Sequence, residues 1–131
     1  MSRPRPGTER GAVSLVTAVV AGVALVLAVG ASDVARVLVA SARAQTAADA
    51  AALAAAQELA LPSGQDPAAV AADYAGRNGA AMVDCSCPLG ASEATVKVMV
   101  EVGALLLVGG DRAASARARA VVDLSSGPPA T

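Results

Sequence analysis

Residues 12–31 read AVSLVTAVVAGVALVLAVGA, and residues 33–61 follow as DVARVLVASARAQTAADAAALAAAQELAL. The first run is almost wholly apolar; Ser14 and Thr17 are its polar side chains, and both can hydrogen-bond back to a helix. About 20 residues at roughly 1.5 Å rise each cross a hydrocarbon core of about 30 Å. The second run carries charges and amides, yet alanine fills most of it, and alanine loses the least entropy on becoming helical. No proline interrupts residues 11–61. The reading is one long helix, transmembrane over 11–32, with a small extracytoplasmic domain over 33–123.

Residues 1–10, MSRPRPGTER, form a short basic leader with Arg3, Arg5 and Arg10. Positive charge just before an apolar span is retained in the cytoplasm. The expected topology is a single pass with the N-terminus inside and the domain outside. Three readings of the span are open: a retained anchor, a secretory signal peptide ending at Val29-Gly30-Ala31, and a pilin-type signal cut after Gly11. The apolar run exceeds a usual signal core of about 7–15 residues, and the helix continues past Ala31, which weighs against the second.

Composition narrows the function. The chain has 131 residues, a net charge of −1, no histidine and, in Tyr74, a single aromatic residue. The near-zero charge gives no general pull toward nucleic acid, and one aromatic ring makes no base-stacking platform. Without histidine, the commonest general base and metal ligand is missing. No small-molecule substrate, cofactor or catalytic group is evident, and the expectation is a non-enzyme. Mean hydropathy is +0.56, raised by alanine and valine rather than by large core residues.

Beyond the long helix, Leu61-Pro62-Ser63-Gly64-Gln65 reads as a stop. Asp66 as N-cap and Pro67 at the first helical position open a second, short helix, which ends at Gly79. The short loop predicts that the two helices pack as neighbours. The period then changes to alternation. Residues 80–85 form a strand candidate. Residues 93–102 form the clearest strand, with Ala94, Val96, Val98, Val100 and Val102 on one face. Residues 115–123 repeat the pattern with Ala116, Ala118, Ala120 and Val122; a helix capped by Asp111 is the rival. A hairpin would set Arg117 and Arg119 on the face of Glu93 and Glu101. The fold expected is α+β: a long helix, a short helix and a three-stranded antiparallel sheet. The tail, 124–131, reads as disordered.

Within residues 33–61 the larger apolar side chains make no clean stripe. Val34, Leu38 and Leu53 share a broad face, Val39 and Leu59 stray from it, and alanine fills the rest. The alanines read either as a close-packing surface for neighbouring helices or simply as good helix formers.

Two further features are candidates for sites. Cys85 and Cys87 are the only thiols. They are a candidate disulfide outside the cytoplasm; free thiols and intermolecular bridges are the alternatives, and two ligands do not complete a metal site. Leu105, Leu106, Leu107 and Val108, between Gly103 and Gly110, are unusually apolar for a loop. They read either as a partner-binding or membrane-touching tip, or as side chains packed under the sheet or extending a strand. The acidic residues, Asp33 among them, are scattered and set no carboxylate pair.

Arg10-Gly11-Ala12-Val13-Ser14 before the span, ARAQTAADAAALAAA over 42–56, Arg77-Asn78-Gly79-Ala80 and the cysteine-bearing strand together resemble the TadE-like proteins. These are pilin-like (pseudopilin) components of tight-adherence, or Flp, pilus assembly. The likeness extends over about 10–122, toward a small actinobacterial branch encoded near helicase and secretion genes. It implies a membrane-anchored protein acting in assembly or secretion of a surface fibre. Its partners would be membrane lipid, other pilus or secretion proteins, and pilin-like subunits. It also implies prepilin-type cleavage between Gly11 and Ala12. The glutamate that pilins carry at the fifth mature position is Val16 here, so its charge pairing with a neighbour's amino terminus is absent. The alternative function is an anchored or secreted module that recognises an envelope partner through the 103–110 loop and the sheet face.

Overall fold

The computed structural model describes residues 8–125, with side chains from Gly11 onward. The leader up to residue 7 and the tail from residue 126 lie outside the described residues. Helix α1 runs unbroken over Thr8–Ala60, and helix α2 over Pro67–Arg77. Strands β1 (Ala81–Ser86), β2 (Glu93–Ala104) and β3 (Asp111–Val121) form one antiparallel sheet in the order β1-β2-β3. The architecture is the expected α+β, and α1 is long and apolar enough to cross a membrane.

The ends of the helices follow from local chemistry. The Glu58 carboxylate accepts hydrogen bonds from Ser63 N at 2.6 Å, Ser63 Oγ at 2.8 Å and Gln65 N at 3.1 Å. These bonds fold the chain back just past the last turn of α1, and they hold the Glu58 carboxyl below its ordinary range, the Ser63 hydroxyl first among the causes. Asp66 then caps α2 by accepting from Ala68 N, with Pro67 at the first helical position.

Helix α1 packs along the sheet and beside α2. Its buried face is alanine: Ala44, Ala47, Ala48, Ala51, Ala52, Ala55 and Ala56 are fully buried. Val96 and Val98 meet them from β2, Ala118 from β3, and Ala71 and Ala75 from α2. Methyl groups let helix and sheet approach closely. The larger residues Val34, Leu38, Val39 and Leu53 face outward. The stripe that the larger apolar residues failed to draw is therefore drawn by alanine, and it packs within the chain.

In β2, Ala94, Val96, Val98 and Val100 point inward as the alternation requires. Strand β3 begins four residues before the expected start, at Asp111, which pairs with Ala104 as part of the ladder. The reach of β2 to Ala104 fixes this: each added residue of β2 gives backbone donors and acceptors that β3 satisfies. The register places Arg117 opposite Lys97 and Ala113 opposite Glu101. Arg119 reaches Glu93 with its guanidinium at 2.6 Å, while Arg117 and Glu101 are not brought together.

Candidate membrane-proximal site

The hairpin joining β2 and β3 does not project away from α1. A bulge between Glu101 and Gly103 interrupts the ladder, with Gly103 at φ 79°, a left-handed conformation that glycine adopts without a Cβ clash. Beyond it the tip lies against the first turn past the apolar run of α1.

Asp33 holds the tip there. One carboxylate oxygen accepts from Leu106 N at 3.0 Å, and the other accepts from Leu107 N at 2.9 Å. The side chain is 6% exposed. The two amide donors, Leu107 first, keep the Asp33 carboxyl below its ordinary value, with Arg36 adding a smaller favourable charge. Arg36 also donates to the Ala104 carbonyl at 3.4 Å. Gly109 N closes the turn onto the Leu105 carbonyl at 3.1 Å. One turn earlier in α1, a Cβ on Gly30 would stand 3.4 Å from Leu107 Cδ1, so the tip packs beside the helix there.

The four apolar loop residues thus divide. Leu105 turns inward and is buried, as in the packed reading. Leu106, Leu107 and Val108 remain 64%, 55% and 63% exposed. Sequence reasoning passed over Asp33 as one of several scattered acids. The signal was its helical phase: Gly30, Asp33, Ala40, Ala44, Ala47, Ala51, Ala55 and Leu59 lie three, four or seven residues apart, on one face. A charged residue in register with a buried alanine face has to meet a partner there.

The other candidate residues lie elsewhere. Gly11 and Ala12 are helical and exposed near the start of α1. Cys85 and Cys87 stand at the end of β1 with Cα atoms 5.6 Å apart, and their sulfurs are bonded to each other. Both pack against the edge of the core, remote in sequence and in the fold from the Asp33 clasp. Among the described residues, no three acidic or cysteine side chains gather closely enough to hold a metal ion. A second surface feature is an open groove at the far end of the molecule, lined by Glu58, Leu61, Val70, Asp73, Tyr74 and Arg77. Asp73 and Arg77 pair at 2.7 Å, and the Arg77 guanidinium lies 5.3 Å over the Tyr74 ring.

The arrangement consists of an apolar helical run, a clasp at its C-terminal end, and a small sheet domain packed on the rest of the helix. No curated protein and no solved structure matches the chain. Residues 11–58 match the family described as putative Flp pilus-assembly TadE/G-like, so the TadE-like resemblance holds over the span, the Asp33 turn and most of the alanine face.

Proposed function

We propose that this protein is a membrane-anchored, pilin-like minor subunit or accessory factor of a Flp/Tad-type pilus or secretion machine. It acts through packing against other proteins, not through catalysis. The observation that carries this is the continuity of α1: one helix supplies an exposed apolar span and, on the same rod, the packing face of the domain. The match to the TadE/G-like family over that helix supports the setting. The basic leader supports a cytoplasmic N-terminus and an extracytoplasmic domain over 33–123. In that compartment the Cys85–Cys87 disulfide would persist.

Cleavage between Gly11 and Ala12 belongs to this proposal. It would leave the span on the mature protein, with Val16 in place of the glutamate that pilins use. The alternative, an envelope-binding module, would use the 103–110 loop and the sheet face, with the loop held against α1 by Asp33.

The test is co-purification from native membranes. Full-length protein is expected to bring down pilus-assembly proteins. A variant with residues 12–31 replaced by an unrelated leucine-rich span should stay in the membrane and lose about tenfold or more of that recovery, because helix packing depends on which side chains face the neighbour. Equal recovery by both would place the interaction outside the span and contradict the proposal.

A further inference from the structure

We infer that the β2–β3 tip is a second membrane contact, with Leu106, Leu107 and Val108 seated in the boundary between headgroups and acyl chains of the outer leaflet. The inference rests on the reading of residues 11–32 as a transmembrane span and assigns the occupant of the tip: lipid.

Three observations converge on it. The first is depth. Leu107 lies against Gly30, inside the apolar run of residues 12–31, so the tip stands level with the outer end of the span rather than above it. A span of about 20 residues fills the hydrocarbon thickness, so this level is the boundary itself.

The second is side-chain character. Three consecutive aliphatic side chains are exposed at the tip, next to the exposed apolar surface of α1. In water that surface is unfavourable; at the boundary it is covered by the lipid that already surrounds the helix.

The third is backbone satisfaction. A surface loop in water needs no protein partners for its amides. Here Leu106 N and Leu107 N donate to Asp33, Gly109 N donates to Leu105 O, and Ala104 O accepts from Arg36. Non-helical backbone near hydrocarbon is tolerated where protein groups satisfy it.

A clasped tip gives the domain two points on the membrane instead of one. A single helix leaves the domain free to tilt and turn about its exit point. A second contact, offset from the helix axis, fixes which face of the sheet looks along the membrane toward a neighbour.

The chain contains no tryptophan, so single-tryptophan variants report depth without other changes. Leu107→Trp, Val23→Trp and Leu53→Trp each replace an exposed side chain. Full-length variants are reconstituted in phosphatidylcholine–phosphatidylglycerol vesicles, and their fluorescence is quenched by lipids carrying a nitroxide high or low on the acyl chain. The inference expects Val23→Trp to be quenched best by the deep nitroxide. Leu107→Trp should be quenched best by the shallow one, at least about threefold more than Leu53→Trp. Quenching of Leu107→Trp no greater than of Leu53→Trp, with Val23→Trp still quenched, would overturn the inference and leave the span intact. An unquenched Val23→Trp would overturn the span and the inference with it.

Discussion

Asp33 is the residue on which the two halves of the molecule meet. It ends the apolar run, faces the domain, and binds two backbone amides that sit more than 70 residues further along the chain. Removing the carboxylate in Asp33→Ala leaves those donors without their acceptor. Amide exchange at Leu106 and Leu107 is expected to rise on the order of tenfold or more, as for loss of hydrogen bonds to a charged group, while the Val96 and Val98 amides stay protected. The same carboxyl sets a pH dependence. Its value in the folded protein lies below the ordinary 3.8, so its contribution is present above that value and is lost as pH falls through the folded one. The amide proton shifts of Leu106 and Leu107 should therefore be flat from neutral pH down to about 4 and move together only in more acid solution. Movement near pH 6 would contradict the clasp. Little of this was legible in the sequence. The apolar tip and the end of the span could each be read, but their meeting depends on hairpin length and on the bulge at Gly103, which alternation alone does not show.

At the scale of elements, size is inverted on the C-terminal half of α1. Its core face takes alanine, closed at the end by Leu59, while Val34, Leu38, Val39 and Leu53 lie outside. Ala51→Leu inserts three heavy atoms between helix and sheet and should cost about 1–3 kcal/mol by thermal or denaturant unfolding. Leu53→Ala, on the half-exposed outer side, should change stability by less than about 0.5 kcal/mol. The reverse order would show that the helix is rotated on the sheet. Both helices, the central strand and the hairpin were legible because their signals are local: alanine propensity, Asp66-Pro67 capping and the valine alternation of β2. The alanine face was legible only as one of two readings, because alanine is also the best helix former; that it packs on this chain's own sheet was not. The start of β3 was missed because residues 111–114, DRAA, carry no alternation of their own and are strand because β2 opposite them is strand.

Over the described residues the molecule is a rod with a small domain folded against the C-terminal half of α1. Nothing in α1 breaks between the span and the domain: Gly22 and Gly30 are helical, and the helix passes Ala31 and Ser32 without a turn. A continuous helix of this kind couples the rotation of the apolar run to that of the domain, as the proposed pilin-like packing would require. The sheet and α2 bury little beyond small side chains, so the core depends on the alanine face that α1 supplies between Ala40 and Leu59.

The central claim is that α1 stays whole in the mature protein and carries the domain on the membrane. Intact-mass measurement of the protein recovered from native membrane and soluble fractions tests it directly. The account predicts a membrane-bound species whose mass includes residues 12–31, beginning at Ala12 where prepilin-type processing has occurred. A soluble species beginning at Ser32 would contradict it, since the span would then be a discarded signal and the continuous helix would not exist in the working protein.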